Sequence, residues 1–201
     1  DRILRCLTNK YYRYYIETEN NCKIWTLSSV PHPQPVAEKC CDANRLPVVM
    51  LHGLLAGLGF WVMNFDTIVD AGHDLYAIDL PGFGRSSRIE FSEDADETET
   101  IFVEKIEQWR KKIGLTRMII IGHSFGGFIT TAYALAYPQY TAKILLVDPW
   151  GFPDAREELT EVIEYGQHSA LSTPIASLPL WVRILVIFLM PFSPFTFLRL
   201  S

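Results

Sequence analysis

Four short apolar runs, each closed off by polar or turn-forming residues, recur along the chain: LPVVML (46–51), LYAIDL (75–80), RMIIIG (117–122) and KILLVD (143–148). Unbroken apolar runs of this length suit strands buried on both faces, the habit of parallel rather than antiparallel sheets. Helical spacing fills the intervals. Phe102, Ile106, Trp109 and Ile113 recur at +4, +3 and +4 within 98–114. Asp94, Asp96, Glu97 and Glu99 crowd the start of that segment and Arg110, Lys111 and Lys112 its end, each group on the side the helix dipole favours. A second helix is expected from Phe125 to Tyr137, stopped by Pro138. Strands alternating with helices predict an α/β protein with a mostly parallel sheet and helices on both faces. Ahead of this pattern, YRYYIETE and CKIWTLSS read as two further strands turning at Asn20 and Asn21, followed by a proline-rich connection over 30–46.

The third apolar run leads straight into chemistry. It ends in Gly122-His123-Ser124-Phe125-Gly126, and a helix-forming segment comes at once after it. Gly-x-Ser-x-Gly between a strand and a helix is the context of a nucleophile elbow. There a serine sits on a strained turn and presents its hydroxyl above the sheet, and the glycines relieve crowding where strand and helix nearly touch. Ser124 is therefore the candidate nucleophile, with Gly122 and Gly126 as the elbow glycines. After the first parallel strand comes LHGLLAG (51–57), where a His-Gly pair lets the chain turn a backbone N–H toward the nucleophile. The oxyanion donors expected are the N–H of Phe125 and that of Leu54 or Leu55, with Leu54 the first choice and His52 a structural residue beneath the loop. The glycine-rich DLPGFGRSS (79–87) fails as a phosphate-binding loop, lacking the ending of one nucleotide motif and the spacing of the other.

Composition narrows the partners. A net charge of −5 and a pI near 5.5 give no basic face for nucleic acid. The acidic run over 90–99 reads as a solvated loop and helix start, so neither a metal nor a cofactor site is expected. Cys6, Cys22, Cys40 and Cys41 lack metal-ligand spacing and suit a reduced intracellular protein. The stretch 178–200 is strongly apolar, but Arg183, Pro191 and Pro194 interrupt it. It reads as a lid or membrane-surface element, not a transmembrane helix.

The segments IWTL (24–27), VVMLHGLLAGLGFWVMNFD (48–66), DLPGFGRSSR (79–88), GHSFGGF (122–128) and LLVDPWGFP (145–153) together carry a family resemblance. They resemble the α/β-hydrolase fold, and within it the branch of the α/β-hydrolase domain-containing proteins four and five. The resemblance implies a serine hydrolase or acyltransferase acting on lysophospholipid or N-acyl-phospholipid esters in lipid metabolism. It further implies a cytoplasmic protein peripheral on membranes or lipid droplets, with a lipase or a droplet coat protein as possible protein partners and no cofactor. The alternative it carries is a non-catalytic lipid-droplet regulator of a triglyceride lipase. The regulatory member of the branch has Asn at the position of Ser124, so this serine favours the catalytic reading.

A serine needs a base, and the order in this fold is Ser, acid, His. Ser124, Asp148 and His168 have that order, yet His168 falls in DAREELTEVIEYGQHSALSTP, a helix-then-loop pattern suited to a cap. The expected layout is the N-terminal part of the hydrolase core over 1–149 and the start of the cap over 150–201. The acid and base then lie beyond residue 201, and the 201-residue piece alone is expected to be inactive.

Overall fold

Six strands hydrogen-bond into a single sheet in the order β1-β2-β4-β3-β5-β6 in the computed structural model, which describes residues 3–32 and 45–151. β1 (Tyr12–Glu17) and β2 (Lys23–Ser28) form an antiparallel hairpin whose connection carries Asn20 and Asn21, both at positive φ (58° and 54°). Asparagine tolerates the left-handed region better than other side-chain-bearing residues, which is why the chain reverses there. β2 then pairs antiparallel with β4 (Leu75–Ile78). The rest is parallel: β3 (Val48–Leu51) lies between β4 and β5 (Met118–His123), and β6 (Thr141–Val147) extends the sheet beyond β5.

The apolar runs explain this centre. All four residues of β3 are buried, and they alternate between two cores. Val49 and Leu51 join Ile120 and Met118 under α2 (Ala95–Ile113) and α3 (Phe125–Ala136), whose Ile106, Trp109, Ile129 and Tyr133 are fully buried. Val48 and Met50 face the opposite way, with Leu75, Ala77 and the Phe65 side chain of α1 (Val62–Asp70). Two polar links tie α2 to the sheet and to α3. Trp109 donates its indole N–H to Thr26 on β2 at 2.9 Å, and buried Glu107 on α2 accepts from Arg110 (2.8 Å) and from the Tyr133 hydroxyl of α3 (2.7 Å).

The expected α/β architecture holds, with three local differences. α2 begins at Ala95, ahead of the expected span of 98–114, because Asp94 caps it, accepting the Glu97 N–H at 2.9 Å. α1 has no counterpart in the sequence reading: Val62, Phe65, Ile68 and Val69 make only a narrow apolar stripe within nine residues. Finally, β6 shares the apolar character of the buried strands, yet Ile144, Leu145 and Val147 are 37–48% exposed. His168, Cys40, Cys41 and the apolar stretch 178–200 lie outside the described residues. Among those described, Cys6 and Cys22 form no disulfide, no cluster of His, Cys, Asp or Glu is arranged for a metal ion, and no helix is long and apolar enough to cross a membrane.

Candidate active site

Because β3 and β5 run side by side with Leu51 opposite Gly122, the loops that leave the two strands emerge at the same edge of the sheet. After β5 comes Ser124, at φ 51° and ψ −119°, a conformation that side-chain-bearing residues seldom hold. Such backbone strain costs on the order of 1–3 kcal/mol and persists where surrounding bonds over-determine it. Here they do. The Ser124 N–H donates to Val147 O at 3.1 Å, and the Ser124 carbonyl accepts from the N–H groups of Gly127 (2.9 Å), Phe128 (3.2 Å) and Trp150 (3.0 Å). The end of β6 and the turn after it, with Asp148 exposed at φ 45°, thus brace the elbow from one side.

The elbow glycines are required by contact. A Cβ on Gly126 would come 2.5 Å from the carbonyl oxygens of both Leu51 and His52, and one on Gly122 would overlap the Gly126 carbonyl and the Thr130 hydroxyl. No side chain fits there, so α3 starts hard against the sheet with its N-terminal N–H groups at the site.

The loop after β3 meets the nucleophile from the other side. A Cβ on Gly53 would lie 3.1 Å from Ser124 Cβ and 2.9 Å from His123 Nδ1, so a side chain here would crowd the serine and the histidine beside it. Leu55, two residues on, is left-handed at φ 58°. Among the described residues, neither the Leu54 N–H nor the Phe125 N–H has a backbone acceptor. Around them the rim is apolar, with Leu54, Leu55, Phe60 and Trp150 between 49% and 68% exposed.

The histidines divide clearly. His52 is fully buried; its Nε2 accepts the Leu80 N–H at 2.9 Å, which leaves Nδ1 protonated and donating to Gly53 O at 2.7 Å. Burial pushes its pKa below the ordinary histidine value, against smaller opposing effects of Gly53 and Asp79, so the ring stays neutral. Both nitrogens serve the main chain, and neither is left for a serine proton. His123 stacks on Phe60 (centroids 4.3 Å apart), and its Nδ1 packs on Gly53 without a hydrogen-bond partner among the described residues. His73 binds Leu46 O and His32 stacks on Tyr14, both remote from the elbow. No described histidine hydrogen-bonds the Ser124 hydroxyl, and His168 falls outside the described residues.

Asp79 is a site-building residue that the sequence reading passed over. It lies at the end of β4, 4% exposed, and its carboxylate accepts the N–H groups of Leu58 (2.6 Å) and Arg85 (2.8 Å). The signal was present: an ionisable residue inside the apolar run LYAIDL must find partners when buried.

A strained serine between a parallel strand and a helix, faced by a His-Gly loop at the carboxyl edge of a mostly parallel sheet, defines a class. The alpha/beta hydrolase fold family model matches residues 47–170, and the chain belongs to that family. Within it, the chain is 40% identical to the pig (Sus scrofa) 1-acylglycerol-3-phosphate O-acyltransferase ABHD5 and 38% identical to the mouse (Mus musculus) (lyso)-N-acylphosphatidylethanolamine lipase. Those alignments cover 100% of this chain and 51% and 52% of the two relatives. The chain thus spans about half the length of the curated relatives it matches. Among solved structures, a bacterial membrane phospholipase A superposes with a TM-score of 0.59 at 26% identity, over 79% of this chain and 46% of that one. Carboxylesterase CesB from Bacillus subtilis superposes at 0.61 and 18% identity, over 91% of this chain and 62% of that one, a likeness of fold.

Proposed function

We propose that Ser124 is the nucleophile of an acyl-transfer enzyme acting on lysophospholipid or N-acyl-phospholipid esters. The observation that carries this is the Ser124 backbone, held at positive φ by four main-chain hydrogen bonds, with the facing Gly53 so close that an added Cβ would stand 3.1 Å from the serine Cβ. Its hydroxyl oxygen attacks the ester carbonyl carbon. The carbonyl oxygen then takes up negative charge between the N–H of Phe125 and that of Leu54, where the α3 N-terminus also favours it. Collapse expels the alcohol and leaves an acyl-serine, which water or an acceptor hydroxyl resolves. The proton-handling histidine and its acidic partner are assigned to sequence beyond residue 201, consistent with relatives about twice as long. The relatives' names supply the substrate class, and the apolar rim of Leu54, Leu55, Phe60 and Trp150 suits an acyl chain. We further assign the protein to the cytoplasmic face of membranes or lipid droplets, where such substrates lie.

The test uses the full-length protein, wild type and Ser124→Ala, with a fluorophosphonate probe and then with lysophospholipid vesicles. Labelling and fatty-acid release that vanish together in the variant support the proposal. A folded wild-type protein that neither labels nor releases fatty acid would overturn it and favour a non-catalytic regulator of a lipase.

A further inference from the structure

The loop that faces Ser124 is fastened at its two ends by two side chains, and both fastenings reach the same place. At the near end the His52 ring links Gly53 O to the N–H of Leu80. At the far end the Asp79 carboxylate holds the Leu58 N–H at 2.6 Å. Asp79 and Leu80 are consecutive residues where β4 ends, so residues 52–58 form an arch standing on one point of the neighbouring strand. Between the fastenings Leu54 and Leu55 are exposed (54% and 68%), and Leu55 is left-handed.

The Asp79 site is costly for a purely structural tie. A carboxylate 4% exposed is neutralised by main-chain N–H groups, with no cation paired to it among the described residues. The glycine-rich loop after β4 supplies the second donor, the Arg85 N–H, to the other carboxylate oxygen at 2.8 Å. Gly57 has an extended backbone (φ −157°), and a Cβ there would stand 3.0 Å from Asp79 Oδ1, so an added methyl would press on the carboxylate.

We propose that Asp79 is a positioning residue for the oxyanion site: by fixing the far end of the 52–58 arch it keeps the Leu54 N–H aimed at the carbonyl oxygen of an acyl group on Ser124. This rests on the reading of Ser124 as nucleophile, but the placement of the arch is measurable without turnover. In Asp79→Asn one carboxylate oxygen becomes an amide N–H2, which cannot accept from both main-chain donors. In Gly57→Ala the charge is intact and the added methyl pushes on Oδ1, in a backbone conformation that alanine adopts freely.

The experiment measures amide hydrogen exchange across 53–58 in the full-length protein and both variants, with kcat and KM on lysophospholipid. Affinities for a trifluoromethyl ketone, which mimics the tetrahedral intermediate, and for the fatty-acid product complete it. Asp79→Asn should speed exchange in 53–58 about tenfold while β3 and β5 keep their protection. It should lower kcat about 10- to 100-fold with KM within about twofold, since a misaimed donor is lost only where charge develops. Ketone affinity should fall by the same factor and product affinity should hold. Gly57→Ala should move every readout the same way by less, and it decides the matter if Asp79→Asn does not fold. Unchanged exchange in 53–58 in the folded variants, or a rise in KM with kcat and ketone affinity intact, would overturn the proposal. A wild-type protein inert toward the ketone and the lipid would defeat the nucleophile reading, while the exchange rates would still report whether Asp79 sets the arch.

Discussion

The two sides of Ser124 are built by different means. On the helix side, the elbow is held almost wholly by main chain: four backbone hydrogen bonds to Ser124, and glycine α-carbons pressed against carbonyl oxygens. On the loop side, the 52–58 arch makes little backbone bonding of its own, with Ala56 N–H to Gly53 O at 3.3 Å as its internal link, and it depends on the His52 and Asp79 side chains. The first construction is rigid because nothing in it rotates. The second depends on two side chains, so a single substitution can loosen it.

The contrast sets an order of expected effects. Ser124→Ala removes the nucleophile and should cost about 10⁴-fold or more in kcat, by analogy with serine hydrolases in general. Circular dichroism and melting temperature should stay near wild type, because the bonds that shape the elbow among the described residues are main-chain ones; residual activity within tenfold of wild type would contradict this. Gly126→Ala comes next and acts on stability. Its methyl meets two backbone carbonyl oxygens at 2.5 Å, neither of which can swing aside, so a loss of about 3 kcal/mol is expected in denaturant unfolding. A loss below about 0.5 kcal/mol would mean that helix and strand are less closely seated than described.

The smallest effect belongs to His52 and is one of pH. Burial lowers its folded-state pKa below the ordinary 6.5, so the unfolded chain binds the proton more readily than the native one does. Above about pH 6.5 the residue is neutral in both states and its contribution is complete. As pH falls from there toward the folded-state pKa, stability should drop by up to about 1.4 kcal/mol per pH unit. His52→Gln, which cannot titrate, should show a shallower slope over that window, whatever its absolute stability. Parallel curves for the two proteins would show that His52 takes up its proton equally well in both states.

The same contrast explains what was legible in the sequence. The elbow was readable because steric constraints leave a fixed local spacing, Gly122-x-Ser124-x-Gly126, between an apolar run and a helix. The sheet was readable for a similar reason, since strands flanked on both sides, such as Val48–Leu51, must be apolar throughout. Asp79 stood out as an ionisable residue within an apolar run, but its role did not, because its partners Leu58 and Arg85 contribute backbone N–H groups, which leave no mark on residue identity. α1 was hidden by its own brevity, with one fully buried side chain, Phe65, to mark its face.

The most direct measurement is to catch the acyl group on the protein. Full-length protein would be mixed with isotopically labelled lysophospholipid, quenched in acid within milliseconds to seconds, digested, and the Ser124 peptide weighed. An acyl mass on Ser124 that appears before free fatty acid accumulates, and is absent in Ser124→Ala, is the expected result. Fatty-acid release at full rate with Ser124 never acylated, or with the acyl group on another residue, would contradict the assignment of Ser124 as nucleophile.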